Sequence, residues 1–183
     1  VAGRSCQMSA RIPMRVCAVA VTRPSSKMGQ DPSYVASLPT SPVGPLSVIV
    51  QDGAVVRLEW SVVDGVSDAV ATEAISQLAQ YFAGERQVFD LPLGPQVSDF
   101  QKKFGAALCA IRFGETRTYG ELAREMGVPA QAIGQACGAN PIPIIIPCHR
   151  VLGAKTLGGF SGAGGVEGKV QLLRHEGAAG LLI

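Results

Sequence analysis

Apolar and polar residues alternate from Leu46 through Val48 to Val50, the chain turns at Asp52-Gly53, and Val56, Leu58 and Trp60 alternate again. A period of two on both sides of an Asp-Gly pair predicts a β-hairpin. The period then changes. After Asp64-Gly65, residues Ile75, Leu78, Ala79 and Phe82 share one face of a helix that Ser67 or Asp68 can cap and Gly84 ends. Leu91-Pro92-Leu93-Gly94-Pro95 breaks both periods and reads as a linker. Beyond it the helical period dominates. Ser98 can cap a helix with Phe100, Phe104, Leu108 and Ile111 in a stripe, closed by Gly114. Thr118 and Glu121 form a capping-box pattern ahead of Leu122, Ala123 and Met126. Gly127-Val128-Pro129 is a short turn, with Pro129 suited to the first helical position. A helix of small residues comes next, with Ala130, Ala132, Ile133, Gly134 and Ala136. Helix, tight turn, helix is the helix-turn-helix pattern, and an ordinary αα-corner fits the spacing equally well. Residues 150–160 mix glycines with β-formers and suit a hairpin or wing. A last helix holds Val170, Leu172 and Leu173.

Residues 1–40 show no sustained period and carry four prolines and several serines. They are expected to form a poorly ordered tail. The apolar stretch Met14–Val21 is too short for a signal peptide and lacks its cleavage site. A chain that begins with Val1 suggests a start at Met8, Met14 or Met28. Two domains are expected after the tail, at 41–92 and 97–183. No internal repeat is present.

Composition narrows the class. The chain has 183 residues, 47% hydrophobic and 16% charged, enough to bury a core and too apolar for global disorder. No apolar run approaches the ~18 residues of a membrane span, so no membrane role is expected. The net charge of +2 argues against binding nucleic acid by bulk electrostatics alone. Residues 96–183 carry nine basic and six acidic side chains and are the more basic half. Cys6, Cys17, Cys109, Cys137 and Cys148 form no CxxC pair, and there are only two histidines. No metal site is expected, and the odd, scattered cysteines suit reduced thiols in a cytoplasm.

The most unusual stretch runs from Asn140 to Arg150. Its prolines fix the backbone, and Ile144-Ile145-Ile146 is too apolar for an exposed loop, so it must be buried and deliver Pro147-Cys148-His149 to a defined place. A free cysteine is most often a small buried hydrophobe. With His149 and Arg150 adjacent, Cys148 is instead read as a nucleophile, since a thiol of pKa about 8.5 needs a base or a cation to react at neutral pH. Neighbours on an extended chain point to opposite sides, so His149 would act through a water. Glu176 can orient it, giving a Glu–His–water–Cys relay. His175 is read as structural or exposed.

Asn-Pro-x-Pro-Ile-Ile-Ile-Pro-Cys-His-Arg-Val, with Gly-Glu-Thr-Arg-Thr-Tyr-Gly-Glu-Leu-Ala upstream and Leu-Leu-Arg-His-Glu-Gly downstream, resembles the O6-alkylguanine-DNA alkyltransferases, also called methylated-DNA–protein-cysteine methyltransferases. The resemblance covers about residues 41–178. It implies an α+β protein: a small RNase H-like α/β N-terminal domain and a C-terminal winged-helix-like, helix-turn-helix alkyltransferase domain. It implies minor-groove binding of double-stranded DNA, base flipping, and one irreversible transfer of an alkyl group from O6 of guanine to Cys148, with O4 of thymine a further candidate. No cofactor is implied, and a cytoplasmic monomer is expected. By match, His149 is the base, Glu176 its partner, and Asn140 the brace of the turn before the active-site loop. Tyr119 would donate a hydrogen bond to the departing guanine. Pro147, Phe160, Ser161 and Lys169 would belong to the pocket. Ala130, Gln131, Ala132 and Gln135, with Thr118 and Arg150, would face DNA.

Two departures from the family pattern stand out. Gln131 occupies a position where many members carry arginine, which predicts weaker DNA affinity. The loop from Phe160 to Lys169 is about two residues longer than a common form, which bears on pocket width. Three rival classes are weaker. Non-catalytic damage sensors lack the cysteine. A winged-helix transcription factor would present more base-reading side chains than Gln131 and Gln135. A cysteine hydrolase needs an oxyanion hole, for which there is no separate motif.

Overall fold

The computed structural model describes residues 33–94 and 98–178. Most of the expected tail, and the end of the linker, lie outside the described residues. The first sheet has three antiparallel strands in the order β1 (Tyr34–Leu38), β2 (Leu46–Gln51) and β3 (Ala54–Glu59). β1 falls inside the stretch expected to be tail, so the ordered domain begins before residue 41. Its pairing explains why: Tyr34 to Leu38 run in register against Val50 to Leu46.

The β2–β3 hairpin forms at Asp52-Gly53, where both residues have positive φ, 51° and 69°. That is the conformation a two-residue primed turn requires. Leu46, Val48 and Val50 are fully buried. Along β3 and just past its end, the expected alternation holds at Leu58 and Trp60 and fails at Val56. Val50 pairs with Val55 while Ile49 pairs with Arg57, so Val56 is an extra residue in a β-bulge. The bulge brings Val55 and Leu58 to the core and leaves Val56 half-buried. Ser47 is buried on the opposite face, where its hydroxyl donates to Ser61 O at 2.6 Å and accepts from Val63 N at 2.9 Å.

Helix α1 (Ala69–Phe82) packs on this sheet, with Asp68 Oδ1 accepting from Ala71 N as its N-cap. Its buried face is Ala71, Ala74, Gln77, Leu78 and Tyr81. The face is rotated from the expected one: Ile75 and Phe82 are only half-buried, and Ala79 is exposed. Gln77 exchanges two hydrogen bonds with the Asp90 backbone. This pins the next segment, which is no free linker: Leu91 and Leu93 are buried, and Val55 bonds to Pro92 O at 2.8 Å and to Gly94 N at 2.7 Å.

The second unit contains α2 (Asp99–Cys109), β4 (Arg117–Thr118), α3 (Tyr119–Met126), α4 (Ala130–Gly138), a 3-10 turn (Cys148–Arg150), β5 (Val151–Leu152) and α5 (Val166–His175). Ser98 with Gln101, and Thr118 with Glu121, form complete capping boxes. α2 stops at Cys109, short of the expected Gly114. Pro129 is the N-cap of α4 rather than its first helical residue. No hairpin forms in 150–160; β5 instead pairs in parallel with β4. Ile142, Ile144, Ile145 and Ile146 are all buried, and Ile144 adopts φ 72° to fold the run back on itself. β3 also reaches this loop: Leu58 N donates to Pro141 O at 2.9 Å.

Candidate active site

Three elements deliver the reactive groups. The 3-10 turn places Cys148, His149 and Arg150 in succession, all buried. Successive side chains there are about a third of a turn apart rather than opposed, as an extended chain would have them. Cys148 N donates to Ile146 O at 2.8 Å. Asn140 fixes the loop from both sides: its Nδ2 donates to Ile146 O at 2.8 Å, and its Oδ1 accepts from Ile142 N at 3.1 Å. The C-terminal end of α5 supplies Glu176.

The Glu176 carboxylate is buried and saturated. Oε1 accepts from His149 Nε2 at 2.7 Å, Tyr81 OH at 2.7 Å and Arg150 Nη2 at 3.0 Å. Oε2 accepts from Arg150 Nε at 2.8 Å and Gly114 N at 3.3 Å. Burial alone would raise this carboxyl, but the bonds and charges of His149 and Arg150 outweigh it and hold it down at about 2. An ionised carboxylate only accepts, so the His149 proton sits on Nε2 and the lone pair on Nδ1. Nδ1 has no hydrogen-bond partner among the described residues. Burial keeps the ring neutral by pushing its pKa down, against the pull of Glu176. Gly114 is required here: its φ is 78°, and a Cβ would lie 2.9 Å from Glu176 O.

Cys148 faces a cavity of about 450 Å3. Tyr119, Phe160, Ser161 and Gly159 form one wall, and Gly134, Cys137 and Gly138 of α4 form the other. Burial raises the Cys148 thiol, opposed by the Asn140 side chain and the Lys169 charge. Trp60 of the first unit backs Phe160 edge-on at 5.9 Å. Gly158, at φ 70°, lies so near Tyr119 that a Cβ would come within 2.8 Å of its hydroxyl oxygen.

The expected site residues separate into groups. Cys148, Tyr119, Phe160 and Ser161 share the cavity, and His149, Glu176 and Asn140 stand behind it. Pro147 and Lys169 are not on its wall. Lys169 is fully buried below, its Nζ donating to Val151 O at 2.6 Å and Gly159 O at 3.1 Å. Ala130, Gln131 and Gln135 are exposed on α4, and Ala132 is half-buried. Thr118 is the cap of α3. Arg150 does not face solvent and cannot contact DNA: Nη1 donates to Ile111 O at 2.6 Å, and the rest of the guanidinium holds Glu176. The reason is electrostatic, since a buried carboxylate needs a cation beside it. Sequence reasoning missed Tyr81, whose hydroxyl joins the site from 95 residues upstream of Glu176. It also missed Cys137, whose place in the last turn of α4 was a readable signal.

Two family models match the chain. One, described as 6-O-methylguanine DNA methyltransferase, ribonuclease-like domain, matches residues 34–95; the other, its DNA binding domain, matches residues 99–178. A methylated-DNA–protein-cysteine methyltransferase of Mycobacterium tuberculosis is 41% identical over 152 residues, 74% of this chain and 88% of its own. One from Methanosarcina acetivorans is 50% identical over 109 residues, 58% of this chain and 69% of its own. Among solved structures, the Mycobacterium tuberculosis O6-methylguanine methyltransferase superposes with a TM-score of 0.67 at 38% identity, covering 79% of this chain and 93% of that one. The same organism's protein in complex with DNA gives 0.68 at 39% identity, covering 79% and 92%.

Proposed function

Because this chain belongs to the methylated-DNA–protein-cysteine methyltransferase family, we propose that it repairs alkylated DNA by moving the alkyl group from O6 of guanine onto its own Cys148. The observation that carries this reading is a cysteine facing a cavity with a buried histidine–carboxylate pair behind it. His149 Nδ1 takes the thiol proton through a bridging water while Glu176 holds the ring. The sulfur attacks the alkyl carbon, the S–C bond forms, and the C–O6 bond breaks. Tyr119 donates a hydrogen bond to the departing base, so that guanine need not leave as a bare anion. The thioether has no hydrolytic escape, and each molecule acts once.

Delivery of the base requires extrusion from the duplex, at a cost of a few kcal/mol. α4 suits this role. Its exposed Ala130, Gln131 and Gln135 can approach a narrow minor groove, and its Gly134, Cys137 and Gly138 line the cavity. The unit at 98–178 then carries DNA binding and chemistry, and the unit at 33–94 supports it. Among the described residues, no helix is long and apolar enough to cross a membrane. We take the working form to be a cytoplasmic monomer on double-stranded DNA.

The test is incubation with a duplex containing O6-methylguanine, then peptide mapping. One methyl on Cys148 per molecule is expected. Repeated turnover, or binding without transfer, would overturn the reading.

A further inference from the structure

We propose that Tyr81, carried by α1 of the first unit, is a positioning residue for the transfer, its hydroxyl holding Glu176 Oε1 toward His149. This rests on the His149–Glu176 relay of the proposed function. Glu176 has five donors, and four of them come from the second unit. The fifth is the Tyr81 hydroxyl, at 2.7 Å on the same oxygen that takes His149 Nε2. A fully buried phenol needs an acceptor, and here that acceptor is the carboxylate behind the nucleophile's base.

The hydroxyl is aimed by a rigid mount. The Tyr81 ring packs against Phe82, Phe89, Phe113 and His175, at centroid distances from 4.8 to 5.9 Å. His175 Nε2 lies 2.7 Å from Tyr81 O, so the residue preceding Glu176 grips the backbone of the residue that bonds Glu176. His149 thus bonds the glutamate of this contact, and His175 the backbone of its tyrosine.

Removing the hydroxyl should have two effects. The carboxylate loses one restraint on its rotation, and its charge is shared by one donor fewer. The charged and titratable groups facing His149 are Glu176, Arg150 and Lys169, with Cys148 adjacent. With Arg150 and Lys169 unchanged, a more concentrated Glu176 charge favours the imidazolium, which cannot accept the Cys148 proton. The acid limb of Cys148 reactivity therefore moves to higher pH.

The test compares full-length wild type with Tyr81→Phe, which keeps the ring, and Phe82→Leu, which thins the same packing but keeps the hydroxyl. Iodoacetamide labelling of Cys148, read by peptide mass across pH, reports on the relay without DNA. Single-turnover transfer from an O6-methylguanine duplex reads the reaction itself. For Tyr81→Phe, both rates should fall about tenfold at neutral pH, and the acid limb should shift upward. That factor matches the lower range for a hydrogen bond to a charged group. Phe82→Leu should lower the melting temperature and leave the limb in place. A wild-type limb in Tyr81→Phe, or an equal shift in Phe82→Leu, would overturn the proposal. Wild type that fails to take methyl from DNA, with the labelling limb still shifted by Tyr81→Phe, would sink the repair reading and leave the role of Tyr81 standing.

Discussion

Glu176→Gln removes one charge from a cluster in which Arg150 is the buried cation. The arginine then loses its counter-ion while remaining out of water. Breaking a buried pair in this way costs about 3–5 kcal/mol, so the urea midpoint should fall steeply. A loss under about 1 kcal/mol would contradict the assignment of Glu176 as the counter-ion of Arg150. Gly158→Ala tests the placing of Tyr119 on the cavity wall. A Cβ there collides with the Tyr119 ring, and the left-handed backbone alone costs about 1–2 kcal/mol, so the variant should lose at least that much stability. Transfer should also slow by about a hundredfold, because the phenol is displaced from the cavity. Single-turnover kinetics beside a thermal melt separates the two effects. At this scale the sequence was legible where chemistry and motif coincide, at Cys148, His149 and Glu176. It misled at Arg150, because a charge beside a nucleophile reads as exposed until its carboxylate partner is known. Tyr81 carried no signal, since a tyrosine on an amphipathic helix reads as core.

Among the elements, α4 carries the sharpest prediction. Gln131 is exposed on the face proposed to meet DNA, and it is neutral. Gln131→Arg should bind duplex DNA more tightly and steepen the salt dependence by about one phosphate contact. Fluorescence anisotropy titrations at several salt concentrations would show it, and equal affinities would remove Gln131 from the interface. Local signals were read well where they are local in cause. The caps at Ser98 and Thr118, the Asp52-Gly53 turn and the buried isoleucine run need only neighbouring residues. The bulge at Val56, the rotation of α1 and the anchoring of Leu91–Gly94 do not. Each is set by a partner strand or helix, and a periodicity read along one segment carries no record of it.

For the whole molecule, acid is the informative perturbation. His149 is held below its ordinary value and Glu176 near 2, so both bind protons more readily in the unfolded chain. Stability from both is therefore present above their unfolded values, about 6.5 and 4.3, and is lost as pH falls through and below them. Melting temperature should decline from pH 6.5 downward and fall faster below 4.5; a flat profile between pH 7 and 4 would contradict the buried neutral imidazole. The two units share more than this cluster. Leu58, on a strand of the first unit, donates its amide proton to Pro141, where the loop that ends in Cys148 begins. That proton can exchange with deuterated solvent only when the loop draws away from the strand. A single peptide around Leu58 thus becomes an isotopic clock for the active-site loop. Its deuterium uptake would reveal, without any label near the cysteine, whether methylation loosens the stretch between Asn140 and Cys148.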